Sequence, residues 1–325
     1  MEDNFDKELI EKRVVGYNEY MKSLADKHLG VLRKFQNICN VIGNLGNLVS
    51  EDYIQEKEVP RMPEKEDGEM LAVTMKQCGI IIGIIAPEFA DFYNSVVGKG
   101  DIESSEYGSG ALPHANKIRF RQTYDDHDIF TLLHEFGHLL NQRDAGNPRG
   151  ASMLRELPSL LLELLPFEEL DKRNLGANRE FFRLKDLELC NKVEAAIKLL
   201  ESPPPAPNTD NYDECYEKTE EIREDIMDAL EGSRYFIGTA SAIIIKQKIQ
   251  REEISFADVV NIINNKDLSI AEVIGELGIN DSEISVLIDY ISRNQNTTIQ
   301  GESTNESVGH AHIKAIVMKE SEKGD

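Results

Sequence analysis

Thr131-Leu132-Leu133-His134-Glu135-Phe136-Gly137-His138-Leu139-Leu140 is the stretch on which the reading of this chain turns. With Ile129 before it, Leu132, Leu133, Phe136, Leu139 and Leu140 recur at helical spacing and form an apolar back. His134 and His138 are four residues apart, so on a helix they stand one turn apart on one face. They share that side with Phe130 or Thr131 and Asn141. Two such imidazoles can reach one zinc ion, and Glu135 between them can reach a water on that ion. Asp125 and Asp126 offer an N-cap or first-turn negative charge for a helix running to Gln142.

Zinc needs a third protein ligand and, for chemistry, an open position. Beyond a loop at 143–151, Ser152 can cap a second helix over Met153–Leu165. Leu157, Leu160, Leu161, Leu162, Leu164 and Leu165 make that helix largely buried, and Pro158 sits near its start, where its missing N–H costs little. Glu156 and Glu163 fall on one face of it. Buried glutamates are uncommon unless paired, hydrogen-bonded or on a metal. Glu156, eighteen residues past His138, is therefore the candidate third ligand. Glu135 is the candidate general base, taking a proton from the activated water and passing it to a leaving amine.

Working outward, residues 98–116 are turn-rich, and Ile118 and Phe120 alternate with Lys117, Arg119 and Arg121 as in a short half-buried strand. Met70–Val97 reads either as a buried helix broken near Pro87 or as two short elements, the second half helical. Residues 50–69 are polar, contain Pro60 and Pro63, and read as a linker. Residues 4–49 carry a helical stripe that Gly43 and Gly46 are expected to interrupt; His28 in it reads as a surface or packing histidine. Downstream, 167–200 reads as one or two charged amphipathic helices, and 201–213, with four prolines, as an exposed loop. Cys215–Leu230 reads as a charged helix ended by Gly232, and Tyr235–Ile249 as a separate buried helix. Short helices capped at Ser255, Ser269 and Asp281 fill 251–293. From Asn294 the chain is polar and reads as a flexible tail, with His310 and His312 on it. The fold expected is mainly α-helical with a small β element beside the histidine helix. The divisions expected are 1–69, 70–250, 251–293 and 294–325.

The full chain has 325 residues, 40% hydrophobic, enough for a substantial core. Its 59 acidic and 36 basic side chains leave a net charge of -23. Such a surface repels nucleic acid and anionic membrane and favours neutral or basic partners. Cys39, Cys78, Cys190 and Cys215 form no close pair and read as free buried thiols of a reducing compartment. The N-terminus has no basic flank or apolar run, so a cytoplasmic protein is expected, with export lacking a signal still open.

HEFGH followed by RELPSLLLE resembles the thimet oligopeptidase and oligoendopeptidase F family of zinc peptidases. The resemblance implies a zincin-like metallopeptidase core holding one Zn2+ ion on His134, His138 and Glu156, with Glu135 as base. It also implies that Ser159 and Glu163 orient the site. Gly108–Pro113, GSGALP, resembles the family's region before a substrate-binding edge strand. That assigns Gly110, Ala111, Lys117, Ile118 and Arg119 to a peptide or protein substrate, with Lys117–Arg121 as the edge. RYFIGTASA maps Tyr235 to a donor for the developing oxyanion, against the alternative of a core tyrosine. Two other functions compete with hydrolysis: a metal-binding protein that binds peptides or proteins without cleaving them, and a helical scaffold with coincidental histidines. Glu135 separates the enzyme from the binder, and Glu156 separates both from the scaffold.

Overall fold

The computed structural model describes residues 2–44, 67–122, 127–143, 152–167, 187–209 and 211–293. Helix α1 spans Glu2–Asn44. Tyr17, Met21, His28, Val31, Leu32, Phe35, Ile38, Cys39 and Ile42 fall on one helical stripe along it, and all are buried. α1 runs through Gly43, and its described residues end one position later at Asn44, so the rest of the interruption expected at Gly43 and Gly46 lies outside the described residues. A glycine inside a helix costs only about 1 kcal/mol, which a long buried stripe outweighs. Of the linker expected over 50–69, residues 67–69 already belong to a helix, while 50–66, Gly46, the capping candidates Asp125 and Asp126, the tail beyond Arg293, His310 and His312 lie outside the described residues.

Helix α2, Asp67–Ile85, ends before a short turn at Pro87–Phe89, and α3 follows over Ala90–Gly98. The break near Pro87 and the helical second half are as the sequence implies. Strands β1 (Ile102–Ser104), β2 (Gly110–Leu112) and β3 (Lys117–Phe120) form one small sheet in the order β1-β3-β2. β1 pairs parallel with β3, and β2 pairs antiparallel with it, Ala111 opposite Ile118. The strand expected as the edge is therefore the central one. β3 has a partner on each side, and Ile118 is fully buried. The strand beside the histidine helix that ends the sheet is β2.

Helix α4 runs His127–Leu140, and α5 runs Leu157–Leu164. The second helix starts later than its leucine content implies. Residues 153–156 form a turn, Glu156 occupies the N-cap position, and Pro158 falls in the first turn. Ser152 does not cap α5. Its carbonyl instead accepts the Arg155 N–H within the turn, at 3.1 Å.

Helix α6, Leu187–Glu201, leads through the irregular segment 202–209 to α7, Tyr212–Gln250. α7 is one helix of 39 residues, capped by the Asn211 side chain on the Glu214 N–H. Gly232, expected to end a helix, instead lies inside it. A Cβ there would sit 2.6 Å from Lys192 Cγ, so this glycine serves the close approach of α6. Helices α8 (Phe256–Asn264), α9 (Ile270–Glu276) and α10 (Asp281–Arg293) close the described chain. Ser255 and Ser269 head capping boxes. At α10 the capping side chain belongs to Asn280 rather than Asp281: its Oδ1 accepts the N–H groups of Ser282 and Glu283.

The result is a mainly α-helical fold with a three-stranded sheet beside the histidine helix. One hydrophobic core joins residues from Tyr17 to Ile291. All four cysteines are buried, and none is joined in a disulfide. Among the described residues no helix is long and apolar enough to cross a membrane.

Candidate metal centre

The apolar back of α4 is seated firmly. Ile129, Leu132, Leu133, Phe136, Leu139 and Leu140 are all buried. Phe136 meets the Tyr93 ring edge-on, with centroids 5.1 Å apart. This seating turns His134 and His138 to the opposite side, with ring centroids 4.8 Å apart.

Glu156 arrives from the turn before α5. A close backbone approach brings it there. At Gly137 a Cβ would lie 2.3 Å from Ser159 Cα and 2.6 Å from Ser159 N, so α5 can rest on α4 only where a side chain is absent. Gly238 of α7 performs the same service from the far side, where a Cβ would lie 2.9 Å from Glu156 Cβ. Glu156 is thus held between α4 and α7 and is 1% exposed.

Its Oε2 stands 3.4 Å from His134 Nε2 and 3.4 Å from His138 Nε2. Oε2 is buried and has no hydrogen-bond partner among the described residues. Ligands about 2.0–2.1 Å from a tetrahedral ion lie roughly 3.4 Å from one another, so the two spacings match donors sharing one zinc. The three donor atoms all fall within 4.8 Å of one another, and among the described residues they form the only such cluster of histidine, cysteine and carboxylate groups. A buried carboxylate oxygen without a partner is costly unless a cation completes it. The donor set and its geometry fit zinc.

Glu163 Oε1 is 2.6 Å from His134 Nδ1. Accepting that proton fixes the ring and directs Nε2 toward the shared point. The electrostatics agree with a site made for a cation. Burial opposes charge on His134, yet the Glu156 and Glu163 carboxylates, which face its two ring nitrogens, push it up to about 10. Burial likewise works against the Glu156 carboxylate, but the two histidines hold it well below the usual range. A divalent cation at this point would compete with a proton for His134.

Glu135 is 8% exposed and points to the same region. Burial raises its pKa above the ordinary carboxylate value; the histidines and a hydrogen bond from the Ala111 backbone pull the other way. β2 thereby touches Glu135 directly. Tyr235 of α7 is 40% exposed. Glu156 first, then burial and Glu231, push its hydroxyl up to about 12, so it remains a proton-bearing donor across the neutral range.

His134, Glu135, His138, Glu156, Glu163 and Ser159 all converge here, Ser159 fully buried against Gly137. Gly110 and Ala111 lie on the strand alongside. Lys117, Ile118 and Arg119 sit one strand further away, with Lys117 Nζ paired to Glu103 at 2.8 Å. Three site neighbours are only weakly marked in the sequence, Asn141 by its place on the histidine side of the helix. Asn141 donates from Nδ2 to the Arg155 carbonyl at 3.2 Å. Arg155 places Nε 3.8 Å from Glu156 Oε1. Asn264 caps the end of α4 from another helix, its Nδ2 donating to the Leu140 carbonyl at 2.8 Å. Adjacency to Glu156 is the only sequence signal that points to Arg155.

No protein-family model matches the chain, and no curated protein sequence matches it. Among solved structures, it is similar to the crystal structure of a Bacillus anthracis str. Ames protein described as a candidate oligoendopeptidase F. The two share 14% identity with a TM-score of 0.48. The match covers 89% of this chain and 56% of the other, so the chain spans little more than half of that protein.

Proposed function

We propose that the protein is a zinc-dependent endopeptidase. The observation that carries this reading is the convergence of His134, His138 and Glu156 on one point, with Glu135 beside them against the outer strand of the sheet. A zinc ion at that point would polarise the scissile carbonyl and activate a water.

The chain's own groups supply the rest. Glu135, raised by burial, accepts the water proton and returns it to the departing amine. Tyr235 donates its O–H to the oxyanion. Glu163 holds the His134 ring in its ligand tautomer. An extended peptide adds to the outer edge of β2 alongside Gly110 and Ala111. β2 takes over the role that the sequence assigned to Lys117–Arg121. Gly110 has no side chain, and a Cβ there would meet nothing within 4 Å, so a backbone can approach it closely. The catalytic core is assigned to 70–250, with 251–293 supporting the end of α4.

The test uses purified full-length protein, its Glu135→Gln form and a mixed pool of quenched peptides, with and without chelator. Chelator-sensitive cleavage by the wild type and loss of at least about 100-fold in the substituted form is expected. Equal cleavage by both proteins, or cleavage indifferent to chelator, overturns the assignment. His138→Ala should lose stoichiometric zinc in metal analysis; undiminished zinc removes that ligand from the site.

A further inference from the structure

We propose that Arg155 is a positioning residue for the neighbouring ligand, holding the outer oxygen of Glu156 so that only Oε2 is offered to the metal. The proposal rests on the zinc reading above and says what keeps one coordination position open.

A carboxylate can bind a metal through one oxygen or two. With two histidines present, a single oxygen leaves a fourth position for water or substrate. A second oxygen would fill it. Glu156 has its oxygens in different surroundings. Oε2 faces both imidazoles at 3.4 Å and has no hydrogen-bond partner among the described residues. Oε1 faces the guanidinium of Arg155 at 3.8 Å. The Glu156 stem is packed against Gly238, where even a Cβ would come within 2.9 Å.

Arg155 is anchored as well. Its N–H donates to the Ser152 carbonyl at 3.1 Å, and its carbonyl accepts from Asn141 Nδ2 at 3.2 Å. Asn141 directly follows α4 and is 2% exposed. The helix bearing both histidines thus fixes the turn bearing Arg155 and Glu156. The Arg155 side chain is 28% exposed, so its charge is partly hydrated. Such a group can hold one oxygen of a ligand carboxylate without competing for the metal. Asn141, Arg155 and Glu156 form one device: an anchor, a cation and a ligand.

The experiment compares wild type, Arg155→Met, Arg155→Gln and Arg155→Lys in the full chain. Zinc affinity is measured by chelator competition. The visible spectrum of the cobalt-loaded protein reports coordination number, since its intensity falls as coordination rises above four. Unfolding midpoints of the metal-free proteins report the fold. Arg155→Met and Arg155→Gln should bind zinc roughly 10- to 100-fold more weakly and give a weaker cobalt spectrum, with Arg155→Lys recovering most of both. An unchanged zinc affinity and cobalt spectrum in the two uncharged variants overturns the proposal. So does weaker peptide binding by these variants with the metal properties intact, because Arg155 would then face substrate. If the wild type itself takes up no zinc or cobalt, the zinc reading fails and this proposal with it. If the wild type binds normally and the variants do too, only the proposal about Arg155 fails.

Discussion

Two single residues set opposite demands on the fold. Gly137 sits in the interior of α4, where alanine would ordinarily be the better helix former by about 1 kcal/mol. Here a Cβ meets Ser159 Cα, Ser159 N and the Pro158 carbonyl carbon, all backbone and all under 3.0 Å. Backbone cannot rotate away as a side chain can. Gly137→Ala should therefore destabilise by about 1–3 kcal/mol and weaken metal binding, because α5 and Glu156 must move off α4. Gly30→Ala is the control, since a Cβ there meets nothing within 4 Å. It should stabilise by about 0.5–1 kcal/mol. Urea denaturation of both variants checks the contrast, and a stabilised Gly137→Ala would mean that α5 does not rest there. His28 makes a different demand. It is 1% exposed with Nδ1 unpartnered among the described residues, and burial, with Lys27 and Arg234 nearby, pulls it down to about 3. The unfolded chain binds the proton near pH 6.5 and the folded chain does not. Stability is thus fully present above about 6.5 and is lost as pH falls toward 3, by up to about 1.4 kcal/mol per pH unit. Between pH 7 and pH 5 the stability of His28→Leu relative to wild type should rise by up to about 2 kcal/mol. A gap that stays constant between those pH values would show that His28 does not titrate this way.

At the scale of elements, the end of α4 is held by residues more than a hundred positions away. Leu140 ends the helix, so its carbonyl has no partner within it. Asn264, the last residue of α8, supplies one through Nδ2 at 2.8 Å, and its Oδ1 accepts the N–H groups of Gln142 at 2.8 Å and Arg143 at 3.2 Å. Arg143 returns the contact, its guanidinium donating to the carbonyls of Ile263, Asn265 and Leu268. Asn264→Ala should cost about 1–3 kcal/mol and speed amide exchange in the last turn of α4, where His138 lies. Hydrogen exchange read by mass spectrometry decides it; unchanged protection over 136–143 would show that the clasp is dispensable. Such a contact has no sequence signature, because an asparagine at a helix end reads only as a local terminator. The histidine pair and Glu156 were legible because few residue types bind zinc and the helix fixes their spacing. The strands β1 and β2 were not. Three residues apiece, with Gly110, Glu103 and Ser104 among them, carry no alternating pattern, and pairing with β3 makes them strands. Assigning the edge to β3 followed from seeing its alternation and missing its neighbours. Gly232 misled for a related reason: a glycine that ends a helix and one that admits a neighbouring helix look alike until the neighbour is known.

At the scale of the whole molecule, the net charge of -23 gives the chain a field that reaches beyond any contact. Within the candidate centre most charges are met locally: Glu163 by His134, and Glu156 by both histidines and Arg155, with Glu135 beside the same histidines. Any preference for basic peptides should therefore come from the surrounding surface rather than from a charged subsite at the metal. The two origins differ in range. Screening shortens the reach of exposed charges from about 10 Å at 0.1 M salt to about 3 Å at 1 M, while a buried local pair is screened much less. Zinc-loaded Glu135→Gln protein allows binding to be read without cleavage. Matched peptides flanked by lysines, by serines and by glutamates should bind in that order at 0.05 M salt. The lysine-to-glutamate affinity ratio should contract toward one at 1 M. A ratio that survives high salt would place the discrimination in direct contacts near β2 and Arg155, and an absent preference at low salt would show that the acidic surface does not extend over the path by which a peptide reaches the centre.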